Sequence, residues 1–118
     1  MDFLLVGIGG ALGSLVRFLL GRVISEKLKT TFPIATFFIN ISGAFLLGLI
    51  SNINVGSNAY LLMADGFLGA YTTFSTFMYE GFSLFKENKI MNAVSYIFLS
   101  IIIGIIGFFL GFQLGRYI

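Results

Sequence analysis

The sequence predicts an all-α membrane protein with four transmembrane helices, the third of them broken. Three observations carry that expectation. Hydrophobic side chains make up 58% of the 118 residues and charged ones 10%, with a mean hydropathy of +1.01, whereas an ordinary globular domain carries about 25% charged residues. A chain this short cannot hide so much apolar side chain in a core of its own, so the bilayer is its expected solvent. Apolar stretches near the roughly 20 residues needed to cross a bilayer recur four times between short polar links. The third of these stretches is rich in Gly, Ser and Thr. Disorder is excluded, because 15 Phe among abundant Ile, Leu and Val reverse the disordered composition.

The first helix is expected over residues 3–22. Met1-Asp2 precede it without Lys or Arg, so it reads as a mature helix and not as a cleavable signal peptide. A charged link through Glu26, Lys27 and Lys29 leads to Pro33, a residue suited to starting a helix, and the second helix covers 33–51. Asn52, Asn54, Gly56, Ser57 and Asn58 make a turn-rich connection. The third helix is expected over 59–85 with a break near 69–76, then a short link Lys86-Glu87-Asn88-Lys89, then a fourth helix over 90–115. Residues 1–118 thus form a single integral membrane domain. Gly9 and Gly13 on the first helix, and Gly107, Gly111 and Gly115 on the fourth, recur at four-residue spacing, which lets helix backbones approach closely in lipid. The run Gly7 to Gly13 is not a dinucleotide fingerprint, since Leu12 breaks the spacing and no strand precedes it.

With no Cys and no His, the usual transition-metal sites, thiol nucleophiles and histidine bases are missing, and redox compartment is unreadable. No acid/base pair or activated nucleophile can be placed, so an enzyme is not expected. A net charge of +2 with scattered cations argues against a nucleic-acid partner.

Chemistry concentrates in the third segment. Between Asp65 and Glu80 lie 14 uncharged residues, whose middle reads Gly69-Ala70-Tyr71-Thr72-Thr73-Phe74-Ser75-Thr76-Phe77. Weak helix formers there favour unwinding, and freed carbonyls or a new helix N-terminus at membrane depth suit an ion site or pathway. The alternative is a continuous helix whose hydroxyls bond back to their own carbonyls. Arg17 follows Gly9 and Gly13 at four-residue steps, on one stripe of the first helix. It either faces a vestibule that attracts anions or snorkels to the membrane edge.

Three motifs occur in order: Gly9-Gly10-x-x-Gly13-x-x-x-Arg17; Thr36-x-x-x-Asn40-x-x-Gly43-x-Phe45-x-x-Gly48; and Gly66-x-x-Gly69-x-x-Thr72-Thr73-Phe74-Ser75-Thr76-Phe77-x-x-Glu80. In these the chain resembles the Fluc/CrcB family of fluoride channels over nearly its full length. The resemblance implies an antiparallel, dual-topology dimer in the plasma membrane of a prokaryote, exporting fluoride passively from the cytoplasm through two pathways around a structural sodium ion. Gly69 and Thr72 match the positions whose backbone carbonyls hold that ion. Phe74 and Phe77 match the pore phenylalanines, Ser75 and Thr76 the polar pair, and Asn40 the second-helix asparagine, while counting from the third motif places Tyr96 and Ser100 at the pore-facing tyrosine and serine. Fluoride is small and strongly hydrated, so a pore must replace its water with donors. Asn40 offers two N–H groups, Ser75, Thr76 and Ser100 offer hydroxyls, and the phenyl rings offer positive edges.

Three positions depart from the family pattern. Asp65 stands where a neutral hydroxyl is usual, Ala70 replaces a second glycine, and Gly104 replaces a serine. An acid near an anion path must lie outside it, be neutralised by a cation, or be protonated. A proton-coupled carrier using Asp65 or Glu80 therefore stays open, as do a small multidrug-type proton-coupled transporter and a non-conducting assembly subunit. Arg22, Lys27, Lys29, Lys86 and Lys89 fall in or beside the two links on one side of the membrane, against Arg116 on the other. That bias favours both termini outside the cytoplasm, so the partner is a second copy or an oppositely oriented paralogue.

Overall fold

The computed structural model describes residues 2–28, 32–53 and 56–117. Among the link residues singled out above, Lys29 and Asn54 lie outside the described residues. Helix α1 spans Asp2–Lys27 and α2 spans Ile34–Ser51. The third crossing is made of α3, residues 57–71, and α4, Phe74–Lys86. Helix α5 spans Ile90–Gly115. The described residues contain no strand, and this all-α architecture is the one expected from composition.

Helix α1 continues past Arg22, the end expected from its apolar run, because Glu26 stands four residues on and pairs with Arg22 at 3.3 Å. Such a pair supports another turn of exposed helix. Pro33 occupies the position just before α2, where its missing N–H costs nothing. Helix α3 starts after Gly56, whose φ of 86° suits glycine. Its middle, Leu61–Leu68, is π-helical, with i→i+5 bonding. Helix α4 closes at Asn88, with φ of 61°, which lets the Lys89 N–H donate to the Leu84 carbonyl at 2.9 Å.

Close backbone contact sets the packing. A methyl group added at Gly48 would overlap the carbonyl oxygen of Phe108, and one at Gly111 that of Phe45. Helices α2 and α5 therefore run together with nothing but backbone between them at these points, as lipid-embedded helices do where small residues meet. Gly9 and Gly13 of α1 press in the same way on the Leu62 and Phe67 carbonyls of α3. The Asn52 amide donates to the Phe112 carbonyl at 2.7 Å and fastens the end of α2 to α5.

Two small clusters fill the interior. Ile39, Ile50, Ala64, Leu68 and Tyr71 join α2 to α3, and Leu84, Ala93 and Tyr96 join α4 to α5 with Phe32, Phe37 and Phe77 against them. Phe18, Phe98, Ile105, Phe109 and many other large apolar side chains face outward, an arrangement costly in water and natural in lipid. Helices Phe3–Lys27, Ile34–Ser51 and Ile90–Gly115 are each long and apolar enough to cross a membrane. The long axis of 47 Å exceeds the roughly 30 Å hydrocarbon layer.

Candidate functional site

The helix stops where its hydroxyl residues begin. Thr72 and Thr73 are extended, with φ, ψ of −77°, 154° and −143°, 114°. The Thr72 N–H and hydroxyl both donate to the Leu68 carbonyl, at 3.1 and 3.0 Å, and finish α3. In a continuing helix the Thr73 N–H would serve the Gly69 carbonyl. It donates instead to Asn40 Oδ1 at 2.9 Å, while Asn40 Nδ2 donates to the Thr73 carbonyl at 3.1 Å. The Asn40 amide thus pairs with Thr73 as a neighbouring strand would, which fixes the break against α2. Of the two N–H groups expected to face an anion, one is already used and one remains.

Past the break, the Thr73 hydroxyl caps α4. It accepts from the Thr76 N–H at 3.3 Å and donates to the Thr76 hydroxyl at 3.1 Å. Gly43 makes room for the turn, since a methyl group there would overlap Thr72 Cγ2. The Ser42 hydroxyl meets Tyr71 Oη at 2.8 Å. This polar set, Asn40, Ser42, Tyr71 and Thr73, surrounds the break from α2 and α3.

The aromatic pair separates into an outer and an inner ring. Phe74 is 75% exposed, whereas Phe77 is half-buried; their centroids are 6.2 Å apart, and Phe77 lies 5.1 Å from Tyr96. Phe32 meets Tyr96 edge-on at 5.4 Å. Ser75 is exposed and Thr76 half-buried. Tyr96 Oη and Ser100 Oγ, one turn apart on α5, are buried without a hydrogen-bond partner among the described residues. Buried polar atoms left in this state imply something else to bond.

A cleft of about 450 Å³ reaches the break, lined by Arg17, Gly21 and Ser25 of α1, Thr36 and Ile39 of α2, and Thr73, Thr76 and Glu80. Arg17 is half-buried there and has no ion pair among the described residues. Thr36 Oγ1 donates to Glu80 Oε1 across the cleft. A second cleft of about 770 Å³, lined by Phe32, Tyr79, Ser83 and Glu87 among others, shares Glu80 with the first. The structure therefore brings Arg17, Thr76 and Glu80 together in the first cleft, with Asn40 bonded to Thr73 at its wall, and sets Phe77 beside Tyr96, which itself lies close to Thr36 and Glu80 and one turn from Ser100. It leaves Phe74, Ser75 and Asp65 on the outer surface, and Gly104 beside open space. Sequence reasoning assigned no role to Thr36 or Thr73. The signal for Thr36 was its place four residues before Asn40, hence on the same helical face.

Residues 4–112 match the family model described as CrcB-like protein, Camphor Resistance (CrcB). The chain is 60% identical over 111 residues to "Fluoride-specific ion channel FluC 2" of Clostridium acetobutylicum, covering 94% of this chain and 95% of the relative. It is 47% identical over 115 residues to the protein of that name from Bacillus cereus, covering 98% of both. Against "Fluoride-specific ion channel FluC 1" of Listeria monocytogenes it is 44% identical over 115 residues, again covering 98% of both. A helical membrane fold broken at the hydroxyl-rich motif, matched along nearly its whole length by the family model and by these relatives, makes this chain a member of the CrcB family.

Proposed function

We propose that this multi-pass membrane protein is a fluoride channel that lets fluoride leave the cytoplasm down its gradient, and not an enzyme. The observation that carries the reading is the break at Thr72–Thr73, held by Asn40 and opening into a polar cleft, in a chain whose relatives are named fluoride-specific channels.

Fluoride gives up its water only to donors. Arg17 draws anions into the cleft, and the free Asn40 N–H and the Thr76 hydroxyl meet them at the break. The unsatisfied Tyr96 and Ser100 hydroxyls supply further donors beside Phe77, whose ring edge is positive and keeps the passage narrow. Fluoride also competes with the Glu80 carboxylate for the Thr36 hydroxyl proton.

The break also suits a cation. The Gly69 carbonyl has lost its helical donor to Asn40, and carbonyl oxygens are the hard donors a sodium ion takes. Gly69 and Thr72 would hold it; when bound, it supplies a fixed positive charge that ties the unwound backbone together. Exposed Phe74 and Ser75 complete the path against a second, inverted subunit. The cation bias of the two links favours one orientation, so that subunit is either a second copy inverted on assembly or a paralogue of opposite bias.

Collapse of a fluoride gradient in liposomes containing this chain alone, with chloride as control, tests the function. Rapid fluoride-selective flux independent of a proton gradient is expected. Flux that requires proton exchange would make the protein a carrier working through Glu80. Flux restored only by co-reconstitution with an inverted paralogue identifies the partner.

A further inference from the structure

Asp65 is the one acidic or basic side chain in residues 57–71. It is exposed on the π-helical stretch, whose buried positions are Ala64, Gly66 and Leu68, and no hydrogen bond or ion pair reaches it among the described residues. Seven residues before the break, it lies about 10 Å from Thr72 along the helix, inside the apolar part of the crossing. A charge at that depth requires water or a counter-charge. Arg17 of the same chain makes no ion pair with it. Gly66, beside Asp65, lies against Val6 and Gly9 of α1, and Arg17 is eight residues further along, about 12 Å away.

Gly69 does lie close, four residues on, and helical residues so spaced share a face. It too is exposed, and its carbonyl has lost its helical donor, the Thr73 N–H, to Asn40. We propose that Asp65 is the charged member of the cation site at the break, acting through space on an ion held by the Gly69 and Thr72 carbonyls. The proposal rests on the reading of the break as a cation site. A carboxylate about 10 Å from a monovalent ion, at an effective dielectric near 20, tightens binding roughly tenfold, and roughly a hundredfold for a divalent ion. Asp65 thus makes the site stronger and more tolerant of divalent ions than carbonyls alone.

The test uses the purified protein in detergent, washed into choline chloride and titrated with Na+ alone or Ca2+ alone at constant ionic strength. The readout is the thermal unfolding midpoint against cation concentration. Asp65→Asn is expected to need about tenfold more Na+ and far more than tenfold more Ca2+ for half of the stabilisation, with Asp65→Glu near wild type. Asp65→Thr serves as a second neutral variant should the amide fold poorly. Unchanged Na+ and Ca2+ midpoints in the neutral variants overturn the proposal. So does weakened subunit association with unaltered cation midpoints, which would assign the counter-charge to a basic side chain of the second subunit. A wild-type protein indifferent to both cations refutes the cation-site reading itself.

Discussion

Replacing Asn40 with Asp isolates the amide that holds the break. The acceptor for the Thr73 N–H survives, but the donor to the Thr73 carbonyl becomes an oxygen facing another oxygen at 3.1 Å. Losing that bond and leaving a part-buried carbonyl unpaired costs about 1–3 kcal/mol of local stability. The larger effect falls on the anion. A full negative charge about 5 Å from a fluoride at the break, at an effective dielectric near 20, adds about 3 kcal/mol of repulsion, roughly a hundredfold in occupancy. Fluoride efflux from liposomes should fall by at least that factor, while circular dichroism still reports the helical fold. Acidic medium should restore part of the flux, because the protonated carboxyl regains a donor and loses its charge. Wild-type flux from Asn40→Asp at neutral pH would refute both the pairing and the placement of the path at the break.

Five further substitutions separate packing from conduction. Arg17→Gln should lower flux about tenfold at low ionic strength and progressively less as salt shortens the Debye length; an equal loss at all salt concentrations would deny the long-range role. Phe74→Ile and Phe77→Ile should both cut flux, but Phe77→Ile should also lower the unfolding midpoint through loss of its contact with Tyr96, about 0.5–1.5 kcal/mol, whereas the exposed Phe74 should not. Gly13→Leu should prevent α1 from seating on the Phe67 carbonyl, at about 3 kcal/mol or more, while Gly7→Leu, which meets open space, should purify as wild type does.

Much of this arrangement was legible in the sequence because it depends on local signals. Glycines at four-residue spacing marked Gly9, Gly13 and Gly111 as backbone contacts, and hydroxyl-rich Gly69 to Thr76 marked the region that unwinds at Thr72–Thr73. What stayed hidden was pairing across helices. Nothing local says that Asn40 turns its amide to Thr73, or that Thr36 bonds Glu80 over a separation of 44 residues. Tyr96 and Ser100 were reached through family resemblance alone, since a tyrosine and a serine on an apolar helix have no periodic signature. Their buried, unpaired hydroxyls give them a physical interest that the pattern did not contain. The end of α1 was placed too early because the apolar run stops at Arg22, whereas the helix is carried on by an ion pair.

The distribution of polar side chains about the break bears on assembly. On the side of the links, the cleft beside Arg17 is lined by threonines and Glu80. On the opposite side, the cavity of about 360 Å³ between α1, α2 and α3 is walled by Leu12, Leu46, Ile50, Leu62, Met63, Phe67 and Leu68, with no donor for an anion. A fluoride that reaches Thr76 from the cleft would meet no donor in that cavity and would have to continue beside the Tyr96 and Ser100 hydroxyls instead. Of these two cavities among the described residues, the polar one opens on the Arg17 side and the apolar one on the other. A subunit packed upside down against this chain would supply a second polar cleft from the opposite face, and the exposed Phe74 and Ser75 lie on surface that such a subunit could cover. On the proposed reading an inverted second subunit would complete the path at the surface of Phe74 and Ser75, so flux from a monomer trapped in excess lipid would refute that part of it.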